Sequence, residues 1–367
     1  MAGLLEGRRL PTLDGFRALA VLVVMLYHFG LNAPGNLSVT MFFVLSGFLI
    51  TWLLLKEERA AGSVSLAGFY ARRTLRIFPA YYVFVVASVA ADRLLDDPWT
   101  PGQVAAALTY TLNYYNAFLG HDTTPAAHAW SLAVEEQFYV LWPLAFLLLA
   151  RRGRRALAAA LAAAVVAAAA WRSCLFLRVG VPTHYVYNAF DTRFDSLAIG
   201  CLMAVLGSRR EFLGFARAVA WRPWLPALTL AALAWSRLAT PAAYAYTLGY
   251  TVDSLLLAVL MLQVMQLHRS RAWSWLEWRP MRYLGAVSYP MYLWHGWAIT
   301  AGRHVEVVPP AARLLIGIGV CVAVASLSYY VVEKPILALR PRVERWLRAR
   351  GPLLPARVRP AIGTEGG

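Results

Sequence analysis

Residues 38–55 read Ser38-Val39-Thr40-Met41-Phe42-Phe43-Val44-Leu45-Ser46-Gly47-Phe48-Leu49-Ile50-Thr51-Trp52-Leu53-Leu54-Leu55, a run without one charged side chain. At about 1.5 Å per residue, such a helix is about 27 Å long, close to the thickness of the hydrocarbon layer of a bilayer. Its polar members are small hydroxyls and a glycine, which a helix in lipid accommodates by bonding back to itself or by close approach to a neighbour. Charge returns at once in Lys56-Glu57-Glu58-Arg59. The stretch therefore reads as a membrane span.

Outward from it, the same yardstick places helices near 13–31, 78–95, 130–150, 156–177, 194–207, 223–239, 246–267, 285–301 and 311–332, giving about ten spans in an all-α polytopic bundle. Composition agrees: 60% of residues are hydrophobic, 15% are charged, and mean hydropathy is +0.53, outside the range of an average soluble domain. The stretch 104–119 is apolar, but Asn113, Asn116 and its aromatic residues suit an interfacial helix better than an eleventh span. Arg8-Arg9 precedes the first apolar run as in a signal peptide. That run carries Arg17 and His28 and lacks a small-residue cleavage site, so it is expected to be a retained first span. Residues 1–335 form the expected membrane domain, and 336–367 a basic, proline-interrupted tail expected to be poorly ordered.

The net charge of +16 sets 33 Arg and two Lys against 19 Asp and Glu. The basic residues fall in short clusters between apolar runs rather than in one stripe, which argues against nucleic acid as a partner and for membrane lipids. With the N-terminus inside, cytoplasmic segments hold 27 basic residues and outer segments 7, with Arg17 inside the first span. That bias predicts both termini in the cytoplasm and the loop 96–129 outside. Cys174, Cys201 and Cys321 have neither metal-ligand spacing nor even pairing and are read as packing residues.

Ionisable groups inside a span cost a few kcal/mol each and mark function by default. Arg17 and His28 are eleven residues apart, so they share one helix face at a separation of about 16 Å, with His28 toward the outer half. The fourth span enters from outside as His128-Ala129-Trp130-Ser131-Leu132-Ala133-Val134-Glu135-Glu136, which puts its carboxylates at the expected level of His28. A histidine and a glutamate converging in a partly dry site make a base and its orienter, whereas a glutamate at a helix start also simply suits the dipole. Arg72, Arg73 and Arg76 lie within one helical turn between the second and third spans, an arrangement suited to phosphate and equally to anchoring at an anionic leaflet. The ninth span places Ser288, Tyr292 and His295 on one face, and a polar stripe between helices would look the same. Ser46 is similarly open to both readings, and Arg193 and Asp195 read most simply as a mutual pair.

Taken together, Leu13-Asp14-Gly15-Phe16-Arg17-Ala18-Leu19-Ala20 through Tyr27-His28, the FFVLSGFLI run, Arg72-Arg73-Thr74-Leu75-Arg76-Ile77-Phe78-Pro79, Trp130-Ser131-Leu132-Ala133-Val134-Glu135 and the Ser288–His295 stretch resemble the acyltransferase-3 family of bacterial membrane O-acyltransferases. The resemblance runs from Leu13 to about Pro335. It implies a ten-helix bundle in the bacterial inner membrane that takes an acyl group from acyl-CoA, expected to be acetyl-CoA, and esterifies a hydroxyl of a carbohydrate or glycosylated small molecule. Acyl-CoA is then a substrate, with no permanently bound cofactor and no metal. It implies that Arg17, His28 and Glu135 carry the chemistry and that Arg72, Arg73 and Arg76 meet the donor phosphates, with Asp14, Ser46, Trp130, Ser131, Glu136, Tyr292 and His295 in support. The sequence resembles the shorter members, expected to act on surface glycans or macrolide-type metabolites without the extracytoplasmic hydrolase-like domain that larger members add. Rival expectations are a flippase or transporter of a lipid-linked glycan, which would use intramembrane charge without acyl transfer, and a non-catalytic partner in polysaccharide synthesis.

Overall fold

The computed structural model of the chain describes residues 11–94, 99–120, 124, 126–208, 210–238, 240–303 and 308–349. Arg8, Arg9, Arg209, Arg350, Arg357, Arg359 and part of the loop 96–129 lie outside the described residues. Among those described, all regular structure is helical. Each expected span has its helix: α1 (Pro11–His28), α2 (Gly35–Ala61), α3 (Leu66–Leu94), α4 (Trp130–Ala150), α5 (Arg154–Cys174), α6 (Phe194–Gly207), α7 (Leu225–Leu238), α8 (Tyr250–Leu267), α9 (Ser288–Arg303) and α10 (Pro310–Ser328).

The helical runs containing α2, α3, α4, α5, α8 and α10 are long and apolar enough to cross a membrane on length and composition alone. The others fall short for identifiable reasons. α6 and α7 have 14 residues each and α9 has 16, and Asp14, Arg17 and His28 dilute the apolar character of α1. Large aliphatic side chains face outward, Leu148 at 65% and Val166 at 69% exposure among them, as expected where the solvent is lipid. The stretch 104–119 is not a span. It forms two short helices, Pro101–Leu108 and Leu112–Leu119, the first closed by a capping box between Thr100 and Gln103. Cys201 and Cys321 are buried, whereas Cys174 is exposed and plays no part in core packing.

Two glycine contacts set the frame around the site. A Cβ on Gly47 would lie 1.9 Å from the carbonyl oxygen of Leu197, and one on Gly200 2.0 Å from that of Val44, so α2 and α6 touch backbone to backbone. A Cβ on Gly285 would lie 1.9 Å from the carbonyl oxygen of Asp14, which fixes α1 against the short helix Arg279–Ala286. Such contacts suit helices in lipid, where close packing drives association. Two apolar cores result, one built largely on α2, α4, α6 and α8 and the other on α1, α3, α9 and α10. Phe42, Phe78 and Tyr289 pack against both, and the cavity described below opens at that seam.

The expected tail 336–367 is described only in part, and that part is largely helical. Arg340–Ala349 forms a helix, α11, with Pro341 in its first turn and an Arg340–Glu344 pair at i, i+4 (2.9 Å). Proline at the start and a stacked charge pair are helix-favouring features of this stretch. Glu344 also lies 3.9 Å from Arg72 of α3.

Candidate active site

One cavity enters the bundle between the two cores. Its charged lining is Arg17 from α1, Arg73 and Arg76 from α3, and Glu135 and Glu136 from α4; Ser46, Ser131, Tyr139, Ser288, Tyr289 and Tyr292 add hydroxyls. Four of the sequence motifs thus converge, joined by the start of α9.

Local sequence explains how each group arrives. In α2, Gly47 allows the contact with α6, and its neighbour Ser46 donates to Oε1 of Glu135 at 2.8 Å. Tyr139, one turn beyond Glu135 on α4, donates to Oε2 at 3.0 Å. The Arg73 guanidinium lies 3.9 Å from the centre of the Tyr139 ring, a cation–π contact that holds it against the same wall. Pro79 in α3 removes a backbone N–H one turn past Arg76. Asp14 and Arg17, i and i+3 on α1, are in electrostatic reach of one another, as are Arg76 and the buried Glu333 beyond α10.

The arginine triad does not act as a unit. Arg73 and Arg76 line the cavity with Arg17, while Arg72 turns away to pair with Glu57 of α2 at 2.6 Å. Trp130 is 2% exposed and does not line the cavity. It packs beside Tyr187 at 4.6 Å and, with Phe43 and Tyr250, surrounds the buried Arg193. Arg193 and Asp195 do not pair as the sequence suggests. At i, i+2 they point apart, and Asp195 bonds instead to Arg172 at 2.9 Å.

At the other end of the cavity, Tyr292 and Ser131 are hydrogen-bonded at 2.6 Å, and each lies 3.2 Å from the carbonyl oxygen of His128. Behind this pair three imidazoles cluster: the His295 ring centre is 4.3 Å from that of His128 and 4.9 Å from that of His28. His295 is 1% exposed, whereas His28 is exposed. Nδ1 of His28 donates to the carbonyl of Val24 (3.0 Å) and Nδ1 of His295 to that of Tyr292 (2.6 Å). A carbonyl only accepts, so each Nδ1 carries a hydrogen, and in the neutral ring Nε2 is then the basic nitrogen.

Glu135 is therefore not at the level of His28. The α4-side residue that reaches the histidine cluster is His128, and Glu135, seven residues later, stands about 10 Å further along the helix, at the level of Arg17. Sequence reasoning gave no role to His128, Tyr139 or Glu333. The first two were findable, because His128, Glu135 and Tyr139 recur at helical spacing on one face; Glu333 reaches Arg76 only through the tertiary fold.

The fold is that of a polytopic helical bundle with a polar cavity inside it, and comparison with known proteins fixes the family: a family model described as "Acyltransferase domain" (acyltransferase-3) matches residues 10–332, and the chain belongs to that family. It is 32% identical over 373 residues to the putative peptidoglycan O-acetyltransferase YrhL of Bacillus subtilis, covering 90% of this chain and 55% of that protein. It is 29% identical to the peptidoglycan O-acetyltransferase OatA of Listeria monocytogenes (89% of this chain, 55% of that protein). It is also 29% identical to the O-acetyltransferase OatA of Staphylococcus aureus (90% and 57%). The chain spans about half the length of the curated relatives it matches. No solved structure matches it.

Proposed function

We propose that this protein is a bacterial inner-membrane O-acyltransferase that moves an acetyl-sized group from acyl-CoA to a hydroxyl of a cell-envelope glycan. The observation that carries the reading is a cavity lined both by the guanidinium groups of Arg17, Arg73 and Arg76 and by the hydrogen-bonded Ser131–Tyr292 pair, with His295 and His28 behind that pair. Three arginines suit the phosphates of CoA, each charge-assisted contact being worth about 1.5–3 kcal/mol. The pantetheine arm then runs between the two cores and brings the thioester toward Tyr292.

In the proposed reaction, Nε2 of His28 takes the proton of the acceptor hydroxyl as its oxygen attacks the thioester carbonyl. The carbon–sulfur bond breaks, the acyl group stays on the acceptor oxygen, and the thiolate leaves with CoA to recover a proton. The basic-residue bias puts Arg73 and Arg76 on the cytoplasmic side, where CoA is available, and His28 toward the outer face. The glycan acceptor is supported by the names of the relatives, and a glycosylated small molecule has the same hydroxyl chemistry.

The test is to incubate purified full-length protein in lipid nanodiscs with acetyl-labelled acetyl-CoA and a peptidoglycan fragment. Label should appear on the glycan together with free CoA thiol. A flippase or a non-catalytic partner would leave the thioester intact.

A further inference from the structure

We propose that Glu136 holds the arm of the acyl donor by accepting a hydrogen bond from one of its amide N–H groups. The assignment rests on the acyl-CoA reading above and names the contact that distinguishes the arm from the phosphates.

The two adjacent carboxylates of α4 are in opposite states. Both oxygens of Glu135 are occupied, one by Ser46 and one by Tyr139. Glu136 lines the same cavity and is 9% exposed, and its buried Oε1 has no hydrogen-bond partner among the described residues. A buried carboxylate oxygen without a hydrogen-bonding N–H or O–H is costly, so the site is complete only when something brings one.

Nearby hydroxyls do not supply it. Tyr81, Tyr82 and Tyr289 are all in electrostatic reach of Glu136, yet each gives its proton to a backbone carbonyl: that of Ala107 at 2.9 Å, Leu108 at 3.1 Å and Ile77 at 2.9 Å. Two internal groups compete. Arg73 is in electrostatic reach of Glu136 and its Nε has no partner among the described residues, but its guanidinium is held on the Tyr139 ring at 3.9 Å. The Tyr110 hydroxyl also has no partner among the described residues, but its ring is held in a stack on Tyr81 at 4.2 Å and its backbone sits at φ 54°, the left-handed region. A ligand for Glu136 must therefore carry N–H or O–H groups on a slender apolar chain, next to an anionic end that the arginines take. Pantetheine, with its secondary amides, has that chemistry, and a carboxylate five residues, about 7.5 Å, further along α4 than Ser131 would fix its register.

Equilibrium binding of CoA and of adenosine 3′,5′-bisphosphate, which has the phosphates without the arm, tests this in nanodiscs. Glu136→Leu should weaken CoA by about tenfold and leave the bisphosphate unchanged; Glu136→Gln, which keeps a carbonyl acceptor, should lose less; Tyr110→Phe should alter neither. If Glu136→Leu does not fold, Glu136→Asp, which withdraws the carboxylate by one methylene, carries the same expectation. The assignment is overturned if the Leu and Asp variants bind CoA as the wild type does, if they lose the bisphosphate equally, or if Tyr110→Phe reproduces their loss. A wild-type protein that transfers acyl groups from another donor and binds no CoA would instead refute the acyl-CoA reading, and the Glu136 assignment with it.

Discussion

Two sets of arginines inside this bundle are built differently. Arg172 of α5 is fully buried and its donors are used: Nε to the carbonyl of Thr247 (2.7 Å), Nη1 to that of Thr192 (2.7 Å) and to Asp195 (2.9 Å), and Nη2 to Thr251 (2.5 Å). The Thr247 carbonyl belongs to a wide π-turn, Ala245–Gly249, leading into α8. Arg73 and Arg76, by contrast, face a cavity. Arg73 rests on an aromatic ring with its Nε unpartnered among the described residues. An intramembrane charge marks function by default, but here the default separates. A guanidinium whose hydrogen-bonding capacity is consumed by protein holds helices together, and one that borders open space is available to a ligand.

Substitution at each site should therefore fail in a different way. Arg172→Ala leaves Asp195 buried without its countercharge, which costs about 3–5 kcal/mol. The expected result is loss of folded, detergent-stable protein, checked by size-exclusion chromatography and thermal unfolding. A folded Arg172→Ala variant that merely bound CoA poorly would erase the distinction. The double variant Arg73→Ala, Arg76→Ala should instead fold and lose more than tenfold in acyl-CoA affinity, since two charge-assisted contacts disappear. Unchanged affinity would return both residues to membrane anchoring. The smallest effect belongs to Arg72→Ala, because its partners are Glu57 and Glu344 and such partly exposed pairs contribute about 0–1 kcal/mol. CoA affinity should fall by less than threefold, and the measurable change should be easier proteolysis of α11.

The same division shows how much was legible in the sequence. Span positions follow from apolar length, a one-dimensional property, and all ten have their helix. Arg17 and Glu135 were placed in the site by their cost in lipid together with the family resemblance, and both line the cavity. Pairing was not legible, because it depends on which faces meet. Arg172 and Asp195 come from different helices, and the adjacent Glu135 and Glu136 look alike in sequence although Ser46 and Tyr139 satisfy only the first. Longitudinal register was the other gap. Knowing that α4 begins near the His28 end does not say that Glu135 has descended about 10 Å to the level of Arg17. The helix at Arg340–Ala349 was obscured by Pro341 and by its charge, which read as part of a poorly ordered tail until Glu344 is seen against Arg72.

The central claim, that this bundle joins a CoA site to a histidine base, is tested most directly at His28. Acetyl transfer from labelled acetyl-CoA to a glycan fragment, with CoA binding measured on the same preparation, should vanish in His28→Ala while binding persists, and His295→Ala should keep a measurable fraction of activity. Near-normal turnover in His28→Ala, with activity lost in His295→Ala, would contradict the account and move the base to α9.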